Sequence, residues 1–215
     1  SVYFNIGDPL AFASMIQNAA VPDGSTDGAF DVLRKFRLEH EAEVAARIAK
    51  LGEEITARYQ GSDEVVMIGL LRGSCVFLAD LCRQCQLPIT LDFMTASSYG
   101  SGMHSTRDVR ILKDLDDDIK GKDVVIVEDI IDSGLTLAWL RANLESRGPA
   151  SLEILALLRK PDAAKVDVDV KYFGFDIPNA FVVGYGLDYA ERYRNLRGVA
   201  VLAPPPSSKP KPAFM

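Results

Sequence analysis

The segment from Val124 to Thr136, VVIVEDIIDSGLT, constrains this chain more than any other stretch. A four-residue apolar run reads as a buried strand, and it leads into two adjacent acids, Glu128 and Asp129. Two isoleucines follow, and then Asp132, Ser133, Gly134, Leu135 and Thr136 at the mouth of a helical stretch. A helix start presents unpaired backbone N–H groups and the positive end of the helix dipole, so this turn suits a phosphate. Gly134 allows close approach, and the Ser133 and Thr136 hydroxyls add donors. The spacing is not the Gly-x-x-x-x-Gly-Lys of a nucleoside triphosphate loop, which favours a monophosphate. Side chains alternate along a strand, so Glu128 and Asp129 at its carboxyl end can reach different hydroxyls of a sugar whose phosphate sits in the turn. Taken singly, Asp132 reads equally well as a helix cap, and the two acids as solvated groups.

The flanking sequence supplies the rest of an α/β pattern. Val44, Ile48, Leu51 and Ile55 recur at helical spacing from Glu41 onward. Residues 64–70, EVVMIGL, read as a buried strand, followed by a turn at Arg72-Gly73-Ser74 and a helix carrying Cys82 and Cys85. Residues 90–96 are a second strand candidate. The polar, Gly-rich stretch 97–107 after it is too long for a simple turn and reads as a mobile lid. Residues 135–146 form a helix, and short apolar runs at 152–158, 168–175, 181–183 and 199–202 complete the set. Strands alternating with helices predict a mostly parallel twisted sheet flanked by helices. The expected organisation is an extension over 1–40, a main domain over 41–203 and a disordered Pro-rich tail over 204–215.

Composition limits the classes of function. The 215 residues are 48% hydrophobic and 25% charged, with 24 Lys plus Arg against 30 Asp plus Glu. A formal charge of -6 recommends no sequence-wide basic surface for nucleic acid, so a small-molecule partner is expected. No apolar run approaches the roughly 20 residues that cross a bilayer, and a cytoplasmic protein without a membrane partner is expected. Cys75, Cys82 and Cys85 form no secreted disulfide framework. The Cys82-x-x-Cys85 pair falls at the far end of a helix, where a thiolate gains no help from the dipole. With His40 and His104 the only histidines, a four-ligand zinc site is not expected.

The Glu-Asp-Ile-Ile-Asp-Ser-Gly segment resembles the phosphoribosyl diphosphate motif of type I phosphoribosyltransferases, in the form found among the hypoxanthine-guanine enzymes. Leu71-Arg72-Gly73-Ser74, Ser98-Tyr99, Leu158-Arg159-Lys160-Pro161 and Phe181 to Arg194 follow the family order after about Ala45. The resemblance implies the family fold, with a small hood built from the chain ends. It also implies transfer of a phosphoribosyl group from 5-phosphoribosyl 1-diphosphate to a 6-oxopurine, with Mg2+ as cofactor and a homodimer or homotetramer as the assembly.

By the same resemblance Glu128, Asp129, Asp132, Ser133, Gly134, Leu135 and Thr136 would bind ribose 5-phosphate, with Asp132 the general base toward purine N7. Arg72, Gly73 and Arg194 would bind the diphosphate, and the family often places a cis peptide at the position of Leu71-Arg72. Ser98 and Tyr99 would form the start of the lid that folds over the diphosphate. Lys160 would donate to purine O6, Phe181 would stack on the ring, Val182 would offer backbone groups and Asp188 would lie at the exocyclic edge. Asp188, Glu128 and Asp129 would serve the metal. Leu135, Arg72 and Ala190 depart from residues common in relatives, yet none removes a group that the chemistry needs. Two rivals follow from the same residues: a regulator that senses phosphoribosyl diphosphate, and a transferase preferring xanthine or another base.

Overall fold

A computed structural model of the chain describes residues 26–99 and 108–201. The first element among the described residues is a 33-residue helix, α1, Thr26–Arg58. It begins upstream of Glu41, because the periodic apolar face starts there but the preceding Leu, Arg and Lys residues already favour a helix. Val44, Ile48, Leu51 and Ile55 are all buried, as their spacing requires. Strand β1, Val65–Leu70, is buried along its whole length. It passes through the turn Leu71–Ser74 into α2, Cys75–Cys82.

Strand β2, Ile89–Tyr99, runs further than its apolar pattern, because it pairs antiparallel with β3, Asp108–Lys113, at the edge of the sheet. Sequence reading found no strand at β3, where Arg110 and Lys113 break up a run of only six residues. Central strand β4, Asp123–Ile131, continues beyond Val127 and carries Glu128 and Asp129 within it. Helix α3, Leu135–Glu145, and strands β5, Ser151–Arg159, and β6, Tyr172–Asp176, complete the main sheet. A separate antiparallel pair, β7 (Val182–Val183) and β8 (Ala200–Val201), forms the C-terminal hood. Any share of the N-terminal end in that hood lies outside the described residues, as does the tail at 204–215.

The six strands stand in the order β3-β2-β1-β4-β5-β6, with only the β2–β3 pair antiparallel. Two apolar layers sandwich this sheet. Helices α1 and α2 pack Leu51, Ile55, Phe77 and Leu81 against Val65, Met67, Val125 and Val127. On the other face Leu137, Leu140 and Leu144 of α3 cover Ile68, Val124, Ile126 and Ile154. Each fully buried aliphatic side chain contributes about 1.5–3 kcal/mol. Near-continuous burial of β1 and β4 is therefore what holds their shared end in place. Among the described residues no helix is long and apolar enough to cross a membrane.

Parallel register decides what meets at the sheet's carboxyl edge. Gly69 is paired with Val127, so the turn after β1 lies beside Glu128 and Asp129. Ile131 is paired with Arg159, so the residue after β5, Lys160, lies beside Asp132.

Candidate active site

Three turns and the hood loop converge at that carboxyl edge, which is where ligands bind in open α/β sheets. The first turn contains a cis peptide between Leu71 and Arg72, at the position the resemblance indicated. Asp129 projects on the α2 side and its carboxylate lies against Gly73. A Cβ at Gly73 would fall 1.7 Å from Asp129 Oδ2, so only glycine leaves room for that carboxylate. Gly186, from the hood loop, caps the same turn with a left-handed φ of 100°. A Cβ there would lie 2.0 Å from the Gly73 carbonyl oxygen.

The adjacent acids are poorly hydrated. Desolvation, reinforced by the neighbouring Asp129 charge, raises the Glu128 carboxyl well above the usual range. Desolvation also pushes the Asp129 carboxyl up to about 6, against the lowering influence of backbone N–H groups and of Arg194. The Ile130 N–H donates to Asp129 Oδ1 at 2.8 Å. Two acids so placed gain from hydroxyl donors or a cation brought by a ligand.

The second turn is the predicted phosphate cradle. Gly134 occupies the N-cap of α3 with φ 76°, a left-handed conformation that glycine adopts freely. Among the described residues no side chain caps this helix, and the N-cap is Gly134 and not Asp132, which removes the capping role considered for Asp132. The first N–H groups of α3, starting at Leu135 and Thr136, therefore face the mouth of the turn. The Lys165 N–H donates to the Ser133 carbonyl at 3.0 Å and braces the loop from outside.

Asp132 itself is open to solvent, with its side chain 61% exposed, whereas that of Lys160 is only 9% exposed. Their charges stand 3.7 Å apart, Nζ to Oδ2. Lys160 is thus no solvated loop residue. The Lys160 N–H donates to the Ile131 carbonyl at 2.9 Å, which anchors its backbone to β4.

The hood supplies the remaining candidates. Phe181 is 53% exposed and meets the Tyr189 ring edge-on, with centroids 5.8 Å apart. An aromatic pair this exposed is not core, and it leaves a ring face available for stacking. The Val182 side chain is buried and its backbone pairs with Val201, so only main-chain groups can serve a ligand. Arg194 donates through Nη1 to the Gly186 carbonyl at 2.7 Å and pairs through Nη2 with Asp188 Oδ1 at 2.8 Å. Among the described residues its buried Nε has no hydrogen-bond partner.

Sequence reading missed Glu191. Its Oε2 accepts from Arg72 Nη1 at 2.7 Å and from Arg194 Nη2 at 3.3 Å. It missed Gly186 as well, whose only local signal is its place in Tyr185-Gly186-Leu187. Ser98 and Tyr99 fall on β2, paired with Val109 and Asp108, so a β-hairpin forms the base of the expected lid. Their side chains and residues 100–107 lie outside the described residues. The three cysteines are free, and burial pushes the Cys85 thiol up to about 11, which leaves it a poor nucleophile.

Comparison with known proteins agrees with this geometry. The family described as "Phosphoribosyl transferase domain" matches residues 37–190. A hypoxanthine phosphoribosyltransferase from Salmonella typhimurium is 64% identical over 157 residues, covering 73% of this chain and 88% of that protein. A hypoxanthine-guanine phosphoribosyltransferase from Mycobacterium tuberculosis is 49% identical over 192 residues, covering 87% and 95%. The crystal structure of a hypoxanthine phosphoribosyltransferase from Staphylococcus aureus matches with a TM-score of 0.75 at 44% identity, over 79% of this chain and 92% of that one. With the family matched over 37–190 and relatives this similar along most of their own length, this chain belongs to the hypoxanthine and hypoxanthine-guanine phosphoribosyltransferases.

Proposed function

We propose that the enzyme serves purine salvage, transferring the 5-phosphoribosyl group of 5-phosphoribosyl 1-diphosphate to N9 of hypoxanthine or guanine, with IMP or GMP and diphosphate as products. The observation that carries this reading is the juxtaposition of Lys160 and Asp132 beside the α3 turn. It sets an O6 donor and a proton acceptor side by side at one end of a phosphate cradle.

In this reading the 5-phosphate rests on the N–H groups of the α3 turn, with Ser133 and Thr136 as further donors. Glu128 and Asp129 accept the ribose hydroxyls. Lys160 donates to the purine O6, an acceptor that adenine lacks, and Phe181 stacks on the ring. The C1–O bond to diphosphate breaks as N9 forms its bond to C1, and positive charge builds on the ribose. Asp132 takes the proton that leaves N7, so the purine becomes neutral as the new bond completes. Arg72 and Arg194 receive the diphosphate charge.

The site fits a magnesium ion carried by the substrate. Among the described residues no group of three or more acidic, His or Cys side chains is arranged to hold a metal. Magnesium needs no such cage, since it keeps waters and binds substrate oxygens with one or two carboxylates. Asp188, through water, and the underhydrated Glu128 and Asp129 are the side chains that would hold it. When bound it would supply positive charge to the diphosphate and ribose oxygens.

Incubating the protein with Mg2+, 5-phosphoribosyl 1-diphosphate and each of hypoxanthine, guanine, xanthine and adenine tests the reading. IMP and GMP are the expected products. Failure to form either nucleotide would refute transfer, and a marked preference for xanthine or adenine would refute the acceptor.

A further inference from the structure

Glu191 sits where two guanidinium groups from distant parts of the chain converge. Arg72 belongs to the turn after β1 and Arg194 to the hood loop, and both donate to the same oxygen, Glu191 Oε2, at 2.7 and 3.3 Å. The backbone is shaped for this. Ala190, Glu191 and Tyr193 have φ of 50°, 62° and 76°, a conformation that side-chain-bearing residues seldom adopt. A reciprocal pair of backbone hydrogen bonds between Tyr189 and Arg192, both 3.1 Å, closes the turn around Ala190 and Glu191. The Glu191 N–H donates to Asp188 Oδ2 at 2.9 Å, and Asp188 in turn pairs with Arg194. The loop is thus bent so that an acid points back at the two arginines.

Core packing does not demand this contact, because the Arg72 and Glu191 side chains are 70% and 64% exposed. An exposed pair of this kind contributes little and is easily exchanged for a stronger anion. A diphosphate, with several charged oxygens, makes more charge-assisted bonds to two guanidinium forks than one carboxylate oxygen does.

We propose that the Glu191 carboxylate is a built-in surrogate anion, which occupies the diphosphate position between Arg72 and Arg194 in the free enzyme and is displaced when diphosphate binds. This rests on the reading of those arginines as the diphosphate site. Glu191 keeps both guanidinium groups aimed at one point, and by competing for them it weakens the hold on diphosphate. Release of the diphosphate product is made easier by the same competition.

Titration of the full-length protein with inorganic diphosphate and Mg2+ in a calorimeter tests this directly. Glu191→Gln keeps the shape and removes the charge, while Glu191→Asn also suits a left-handed backbone and cannot reach. Both should bind diphosphate about two- to fivefold more tightly than the parent, the size expected for loss of an exposed ionic competitor. The purine KM should not change in either. Unchanged or weaker binding in either variant overturns the surrogate role. Arg194→Gln separates the two levels of the argument. Weakened binding there upholds the diphosphate pocket whatever Glu191 does, whereas parental binding there overturns the pocket and the surrogate together.

Discussion

Asp129 Oδ2 occupies the space where a side chain at Gly73 would begin: a Cβ there would lie 1.7 Å from it. This contact ties the glycine turn after β1 to the acid strand β4, and Gly186 closes over it from the hood. The two glycines give different expectations. Gly73→Ala meets the mobile end of a side chain, so Asp129 must rotate away while the backbone stays. We expect kcat/KM to fall by at least about tenfold, equivalent to about 1.4 kcal/mol, with little change in Tm. Gly186→Ala meets backbone and must hold a left-handed φ, which costs about 1–3 kcal/mol. Its Tm should drop by several degrees, roughly 2–4 °C per kcal/mol for a chain of this size. Calorimetry beside steady-state kinetics checks both, and equal effects of the two substitutions would refute the distinction.

Asp132→Asn keeps the shape of an exposed side chain that caps no helix. Turnover should fall by about 10² to 10⁴, the usual contribution of a positioned base, while the Kd for IMP changes by only a few fold. A parallel loss of nucleotide binding would mean that Asp132 holds the ligand and is not the base.

Lys160 is buried beside Asp132, so its removal should be felt at the base and not at the phosphate. Lys160→Ala should narrow the preference for hypoxanthine over adenine by about 1–3 kcal/mol of kcat/KM discrimination, with the KM for phosphoribosyl diphosphate close to parental. Competition between the two bases in one reaction measures this. Undiminished discrimination would remove Lys160 from the base pocket.

Acid stability should depend on Asp123, at the start of β4. Its carboxylate accepts from Ser151 Oγ at 2.6 Å and Ser62 Oγ at 2.5 Å, and these bonds hold its pKa below the usual value. A carboxyl lowered in the folded state stabilises fully above its unfolded pKa, about 3.9, and loses that contribution as pH falls through the folded value. Ser151→Ala should therefore destabilise by about 1 kcal/mol at pH 7, the usual worth of one such bond in a part-buried place, and progressively less below pH 4. Urea unfolding at pH 7 and at pH 3 reads the difference. A penalty undiminished at pH 3 would point to packing as its source.

Much of the architecture was legible in the sequence because its causes are local. Apolar runs made β1, β4 and β5 recognisable, and the three-and-four spacing of Val44, Ile48, Leu51 and Ile55 marked the buried face of α1. Gly134 before a helical stretch pointed to a glycine turn at a helix start for reasons of backbone geometry alone, and it stands at the left-handed N-cap of α3. Where the cause is not local the signal faded. β3 is short and charged, and it exists because β2 offers an edge to pair with. The extension of β4 through Glu128 and Asp129 likewise depends on β5 alongside.

The candidate site divides in the same way. The residue types at the α3 turn, the acids of β4 and the aromatic of the hood were determined by sequence, since each performs its task through its own backbone or side chain. Only tertiary structure decided their partners. The register of β4 against β5 set Lys160 beside Asp132, the register of β1 against β4 set Gly73 against Asp129, and the return of the hood set Glu191 on Arg72, 119 residues away. Strand register and long-range closure minimise a free energy summed over the whole core, and no window of sequence contains that sum.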